Sequence, residues 1–242
     1  MSKLLSADFA RLKKDKVFWI GMIFMLAVGI LSPVMNYINM NQGGYKIPLE
    51  SSFFVYAVYI GILLSAFCSL FVGTEYSDGT IRNKIVIGHG RIQVYLSHFL
   101  VCSAAGLLMC AAYFLPAGMI GTCLLGFFQT DIQVILGLIL CSVIMSLAFT
   151  AVFTMVAMLN QNKALVAVIN MLGVFILLFG AIYIRTKLYE PKVYEGYVYK
   201  DESGKIVEVE EEPNPNYLSG TKREVYTFLY DVIPTCQSLQ IT

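Results

Sequence analysis

Five long uncharged apolar runs constrain this sequence more than any other feature. None of them contains Asp, Glu, Lys or Arg, and they cover residues 17–37, 53–72, 99–120, 134–159 and 165–184. A helix needs about 20 mostly apolar residues to cross the hydrocarbon core of a bilayer. Lipid offers no hydrogen-bond partner to the backbone, so an isolated apolar segment crosses it as a helix. The sequence therefore predicts an all-α polytopic membrane protein with five transmembrane helices.

The overall composition excludes several classes of protein. Hydrophobic residues make up 57% of the chain and charged residues only 14%, whereas a soluble domain carries about 25% charged residues. An ordinary cytosolic enzyme is therefore excluded. The formal net charge of +1 also argues against a nucleic-acid partner, because proteins of that class carry a basic excess on one face.

The cysteines and histidines predict neither a disulfide framework nor a metal site. Four of the six cysteines lie inside the apolar runs, where cysteine serves as a small packing residue. His89 and His98 have no cysteine or carboxylate at ligand spacing along the sequence. We therefore expect no metal and no cofactor on this chain.

The distribution of lysine and arginine predicts the orientation of the chain. Basic residues cluster before the first apolar run, between the second and third runs, and after the fourth run at Lys163. The two other loops contain only Lys46. Short loops rich in lysine and arginine remain in the cytoplasm. We therefore predict a cytoplasmic N-terminus, a cytoplasmic loop over residues 73–97, and an extracytoplasmic segment after residue 184.

Residues 1–16 are predicted to form an amphipathic interfacial helix that leads into the first transmembrane helix. Leu5, Phe9 and Leu12 fall on one helical face, and the basic residues fall largely elsewhere. The alternative is a positively charged tail that only fixes the orientation of the chain.

The cytoplasmic loop over residues 73–97 carries the signals of a short amphipathic helix. Asp78 and Gly79 indicate a turn, and Thr80 can cap the helix that follows. The apolar stripe of this helix consists of Ile81, Ile85 and Val86. Two glycines then end the helix before Arg91 begins the next one. The loop is either a solvated segment that lies against the membrane or a docking site for a cytoplasmic partner.

Residues 185–233 are predicted to form a small extracytoplasmic domain, a cap made of a hairpin and a helix. The β-prone runs 197–200 and 205–209 predict the hairpin. Thr221 and Glu224 predict a capping box at the start of the helix. A proline ends this helix, whose apolar face consists of Val225, Phe228, Leu229 and Val232. The cap is either a structural lid or a contact surface for a substrate.

The transmembrane runs contain a few polar residues that support two interpretations. Four hydroxyl residues of the fourth run recur at every fourth position, and the fifth run adds an asparagine: Ser142, Ser146, Thr150, Thr154 and Asn170. Hydroxyl groups at this spacing form one stripe along a helix. The stripe either packs against a neighbouring helix or lines a translocation pathway.

The motifs that are missing from the sequence narrow the function further. The sequence has no G-x-x-x-x-G-K-[ST], G-x-S-x-G or H-E-x-x-H motif, so we expect no ATP hydrolysis and no catalytic residue on this chain. The transmembrane runs contain no ionisable side chain that could relay protons. A passive, signalling or externally powered membrane protein remains.

One stretch of the cytoplasmic loop resembles a known family. Its pattern is E-Y-x-x-G-T-I-R-x-K followed by a glycine and an arginine, and it comprises Glu75, Tyr76, Gly79, Thr80, Ile81, Arg82, Lys84, Gly88 and Arg91. This pattern resembles the loop of bacterial ABC-2 type permeases, and in particular that of bacitracin or lantibiotic exporter and immunity permeases of Gram-positive bacteria. The order of the apolar runs and the basic lead-in are also similar to that family.

The resemblance implies a membrane subunit that forms a homo- or heterodimer and binds two cytoplasmic ATPase subunits, which carry ATP and magnesium. The short helix would be the coupling helix. Ile81 and Ile85 would fit a groove on the ATPase, Arg82 and Lys84 would contact its acidic rim, and Glu75 would anchor the loop. Members of this family usually have six spans, so residues 234–242 stand where a last span would begin.

The sequence thus favours the permease subunit of an ATP-driven exporter of amphipathic peptides, antibiotics or other lipophilic compounds. We expect it in the cell membrane of a Gram-positive bacterium, as a multi-pass protein. The alternative is a membrane sensor or scaffold that does not transport, whose cap binds a ligand and whose loop recruits a cytoplasmic regulator. No nucleic-acid partner is expected.

Overall fold

Helices make up nearly all of the regular structure in the computed structural model, which describes residues 2–200 and 206–241. The helices are α1 (Ser2–Leu12), α2 (Lys16–Gly43), α3 (Glu50–Phe53), α4 (Tyr56–Ser77), α5 (Thr80–Val86), α6 (Arg91–Leu125), α7 (Ile132–Leu159), α8 (Lys163–Leu188), α9 (Thr221–Val232) and α10 (Pro234–Ile241). The strands are β1 (Val193–Tyr194), β2 (Tyr197–Lys200), β3 (Ile206–Val209) and β4 (Glu212–Pro213).

The predicted all-α polytopic membrane fold is confirmed. The described part of the chain contains five helices that are long and apolar enough to cross a membrane, namely α2, the segment Glu50–Ser77, α6, α7 and α8. These helices extend beyond the apolar runs that predicted them. Helical hydrogen bonding continues past the apolar residues until a residue allows the backbone to turn. Helix α2, for example, ends where Gly44 adopts a φ of 68°, a left-handed conformation that glycine adopts without a steric penalty.

The bundle has two ends, which we name by what they carry. The α5 end carries α1, α5 and the turn between α7 and α8. That turn lies close to α4, since a Cβ added to Gly73 would be 2.8 Å from Cβ of Lys163. The cap end carries α3, the four strands and α9. Here the Glu50 carboxylate accepts hydrogen bonds from the backbone N–H groups of Gln129 and Thr130, both at 2.7 Å.

Helix α4 forms the centre of the bundle and packs against α2, α6, α7 and α8. In its most apolar stretch 61% of the residues are buried, against 22–44% in the corresponding stretches of the other spans. The other spans therefore turn a large part of their apolar surface outward, as expected for helices that face lipid.

A close contact between α2 and α6 depends on glycine. A Cβ added to Gly29 would lie 2.7 Å from the backbone oxygen of Tyr113 and 2.9 Å from Cγ of Pro116. Small residues allow transmembrane backbones to approach in this way, and the gain in van der Waals contact stabilises the pair.

Helix α1 packs against α6 and differs in two respects from the prediction for residues 1–16. It ends at Leu12 rather than at residue 16, because the Asp15 carboxylate accepts a hydrogen bond of 2.9 Å from the backbone N–H of Phe18 and starts α2. Its buried residues are Leu4, Asp8 and Leu12, so a carboxylate occupies the centre of the inward face.

The cap contains the predicted hairpin. Strands β2 and β3 pair antiparallel with Tyr197 opposite Val209, and β1 pairs with β4. The turn residues expected at 201–204 and the strand residue Lys205 lie outside the described residues.

The cap helix α9 differs from its prediction. The capping box is wrong, because Gly220 is the N-cap and Thr221 is already helical, without a side-chain capping bond. The predicted apolar face is exposed, with Phe228 at 65%. Tyr226 and Tyr230, which are four residues apart on one face of α9, pack against Ala181 and Ile184 of α8 instead.

We expect the substitution Gly29→Ala to lower the unfolding temperature of the purified protein in detergent. The added methyl group would overlap a backbone oxygen that cannot move freely, and overpacking of this kind costs about 1–3 kcal/mol. Gly173→Ala in α8 is the matched control, because no atom of the described residues lies within 4 Å of its added Cβ. Equal unfolding temperatures for the two variants would contradict the close contact.

Candidate functional site

Ionisable side chains from four separate helices meet in the interior of the α5 end. Asp8 comes from α1, Glu75 from the last turn of α4, Lys84 from α5 and His98 from the third turn of α6. Their side chains are 2%, 5%, 13% and 0% exposed, respectively. Together with the more exposed Arg11 of α1, they form what we call the ionic cluster.

The Lys84 ammonium group is the centre of the ionic cluster. Its Nζ donates hydrogen bonds to Oδ1 of Asp8 at 2.8 Å and to Oε1 and Oε2 of Glu75 at 2.8 and 2.7 Å. Arg11 provides the second cation. Its guanidinium group binds the Glu75 carboxylate and the backbone oxygen of Phe71 and lies 3.9 Å from the centre of the Phe71 ring.

Helix α6 contributes two further contacts to the ionic cluster. Oγ of Ser97 donates a hydrogen bond of 2.6 Å to Oδ2 of Asp8. The His98 ring lies between the carboxylates, with Nε2 at 3.1 Å from Oε2 of Glu75 and Nδ1 at 3.8 Å from Oδ2 of Asp8. Within the described residues, neither ring nitrogen forms a hydrogen bond of normal geometry.

Asp8, Glu75 and His98 are the described residues that could hold a metal ion. Each offers one ligand atom, and these atoms lie within 4.8 Å of one another. The sequence argument considered only the neighbours of His98 along the chain, whereas the carboxylates beside it come from distant segments. However, the Lys84 ammonium group already binds both carboxylates and supplies the positive charge that they require. The geometry is that of an internal ion-pair centre.

Two of the predicted coupling residues contact the chain's own helices instead of pointing outward. Lys84 belongs to the ionic cluster, and Ile81 is 3% exposed between Leu4 and Val94. The chain's own helices thus cover both side chains, whereas the resemblance implied that they contact the ATPase. Thr80 is the first helical residue rather than the cap, since Gly79 occupies the N-cap position with a φ of 69°.

The outward surface of α5 consists of different residues. Val86 and Ile87 are 77% and 78% exposed, and Ile85 is 40% exposed. Arg82 is exposed on the same helix. Beside them lies a groove of about 620 Å³ between α5 and the end of α7, with Arg82 and Arg91 as its charged residues and a lining that includes Tyr76, Ile85, Met158 and Leu159.

The polar residues predicted as a pathway lining lie inside the bundle of this single chain. Ser142, Ser146, Thr150, Thr154 and Asn170 are all 0–3% exposed. Oγ of Ser146 bonds the backbone oxygen of Ser142 at 2.9 Å, and Oγ1 of Thr150 bonds that of Ser146 at 2.8 Å. Nδ2 of Asn170 donates to Oγ of Ser69 in α4 at 2.8 Å. These contacts support the helix-packing interpretation.

Sequence analysis missed Asp8, Arg11, Ser97 and His98 as members of a site. A signal for Asp8 was available, because it occupies the position between Leu4 and Leu12 on the inward face of α1. A carboxylate at the centre of a buried face requires a partner. The identity of that partner depends on the packing of α1 against α6, which local spacing does not encode.

Comparison with known protein families assigns the chain. A family model described as "ABC-2 family transporter protein" matches residues 4–180, which include α1 to α7 and most of α8. The chain therefore belongs to this family. It is a permease subunit of an ABC transporter, a multi-pass membrane protein that works in the bilayer with ATP-binding subunits. No curated protein and no solved structure matches the chain.

We expect Lys84→Met to destabilise the protein strongly, because it leaves buried carboxylates without their shared cation. Breaking a buried ion pair from one side costs about 3–5 kcal/mol. The double variant Asp8→Asn with Lys84→Met should regain part of that loss, since it removes a negative charge together with the positive one. Thermal unfolding in detergent measures both, and Arg82→Met on the exposed side of α5 is the control. A Lys84→Met variant as stable as the Arg82→Met control would contradict the assignment of Lys84 as the cation that the buried carboxylates share.

Proposed function

We propose that the chain is the permease of an ATP-driven exporter and that two cytoplasmic ATPase subunits bind the outward surface of α5. The observation that supports this proposal is the division of α5 into two sides. Ile81 and Lys84 fix one side to the bundle, while Arg82, Val86 and Ile87 remain free on the other. A helix held in this way can receive a force without detaching from the membrane part.

The chemistry of the outward surface indicates how an ATPase would bind. Val86 and Ile87 supply an apolar contact, and exposed apolar groups next to charged residues are typical of interaction sites. Arg82 and Arg91 border the groove beside them and would pair with acidic residues of the partner. ATP and magnesium would be held by the partner, because this sequence has no phosphate-binding loop of the G-x-x-x-x-G-K-[ST] type.

We also propose that the translocation pathway forms between two permease chains. The hydroxyl and amide side chains of α7 and α8 that could line a pathway are buried within one bundle, which favours a pathway formed with a second chain. The outer sides of the spans are apolar and would suit amphipathic peptides, antibiotics or other lipophilic compounds that enter from lipid. A second copy or a related chain would complete the pathway in the cell membrane of a Gram-positive bacterium.

The substitution Arg82→Glu should weaken ATPase binding without unfolding the permease. Reversal of one partly exposed contact charge should reduce the ATPase recovered with the purified permease about tenfold, which corresponds to about 1.4 kcal/mol of binding free energy. Lys14→Glu is the matched control, because Lys14 is exposed at the same end of the bundle but lies outside α5. Equal recovery for both variants would count against docking on α5. A wild-type permease that recovers no ATPase would favour the sensor or scaffold alternative.

The proposed orientation can be tested with cysteine labelling in intact cells. The basic residues of the α5 end predict that it lies in the cytoplasm, so the double variant Arg82→Cys with Cys123→Ser should react with a membrane-impermeant maleimide only after permeabilisation. In the wild type, Cys123, which is exposed near the cap end, should react in intact cells. Labelling of position 82 from outside would reverse the topology and exclude a cytoplasmic ATPase at α5.

A further inference from the structure

The connections that join α5 to its neighbours in the chain are short turns. Both contain a glycine in the left-handed region, Gly79 with a φ of 69° and Gly88 with a φ of 100°. No atom of the described residues lies within 4 Å of a Cβ added to either glycine. Neither glycine is therefore packed against another part of the bundle, and the side chains of α5 itself provide the contacts through which a displacement would enter it.

The ionic cluster provides such a route. Lys84 ties α5 to α1 through Asp8 and to the last turn of α4 through Glu75. Asp8 in turn accepts the hydrogen bond of Ser97 from α6. One ammonium group therefore bonds two other helices, α1 and the span α4, directly and reaches the span α6 through one further contact.

The chemistry of the ionic cluster suits the transmission of force better than an apolar contact would. Charge-assisted hydrogen bonds are short and directional, whereas apolar side chains can slide past each other at little cost. The negative charges of Asp8 and Glu75 are balanced by Arg11 and Lys84 within the cluster. Burial keeps water from replacing these bonds when the helices move.

We infer that the ionic cluster is the mechanical link between the ATPase-binding helix α5 and the spans α4 and α6, with Lys84 as the positioning residue at its centre. This inference rests on the proposed function, since it presumes an ATPase on α5. It separates two roles on one helix. Arg82 and its exposed neighbours hold the ATPase, and Lys84 passes the movement of α5 to the spans.

The experiment uses the permease purified together with the ATPase that accompanies it, reconstituted in vesicles. The readout is the modification rate of Cys123, an exposed native thiol near the far end of the helix α6 that begins at the ionic cluster. Cys141, the other exposed cysteine, is replaced by serine. The rate of reaction with a membrane-impermeant maleimide is measured with and without ATP and vanadate. In the wild type we expect the nucleotide to change this rate severalfold.

The double variant Asp8→Asn with Lys84→Met removes the bonds from α5 to α1 and α4 and avoids an unpaired ammonium or Asp8 carboxylate. We expect ATPase recovery and ATP hydrolysis within about twofold of the wild type, since the binding surface is on the other side of α5. The nucleotide-dependent change in the Cys123 rate should fall about tenfold. Lys84→Arg, which keeps the charge, should restore part of the response.

The inference would be overturned if the double variant kept the full nucleotide-dependent change in the Cys123 modification rate. It would also be overturned if the Cys123 rate of the wild type did not change on addition of ATP and vanadate. If the double variant aggregates, Ser97→Ala carries the test, because it removes only the bond from α6 to Asp8 and should reduce the response about twofold. Arg82→Met provides the contrast, with reduced ATPase recovery but a normal response in the complexes that form. Failure of the wild type to recover any ATPase would instead refute the proposed function.

Discussion

Two carboxylates buried at one end of a membrane bundle must be neutralised, and this requirement organises the α5 end of the protein. Glu75 and Asp8 stand on different helices, and each needs a cation that water cannot replace. Lys84 binds both carboxylates and so joins α5 to α1 and α4. Arg11 then compensates the second negative charge. One set of ion pairs therefore connects three helices at this end of the bundle.

The same requirement explains why α5 presents two different sides. A helix of seven residues has about two turns, so residues three apart such as Ile81 and Lys84 share one side. When these two side chains turn inward, Arg82 and Val86 lie on the opposite side of the helix and are exposed. The family resemblance correctly drew attention to this segment, but a motif pattern does not distinguish a residue that anchors a helix from one that binds a partner. Burial makes that distinction.

Sequence reasoning succeeded where one free-energy cost decides the structure of a segment. The five spans follow from the cost of exposing polar groups to lipid, which acts on every residue of a run. It failed where two elements compete for a residue. Thr221 could cap α9, but Gly220 takes the cap position, and the predicted apolar face of α9 is exposed while Tyr226 and Tyr230 pack against α8. His98 was judged by its sequence neighbours, whereas its environment is created by residues of α1 and α4.

The buried polar groups of the spans follow a different logic from those of the α5 end. Hydroxyl groups of α7 bond carbonyl oxygens of their own helix, so they cost little in lipid and add no charge that must be balanced. They fix helix positions in the middle of the membrane and face the interior of this bundle. Among the described residues, the buried charged side chains of the ionic cluster lie at the α5 end, beside the helix that we propose binds the ATPase. This distribution of polar and charged groups suits a subunit that receives movement at its α5 end and transports by changing its contacts with a second chain.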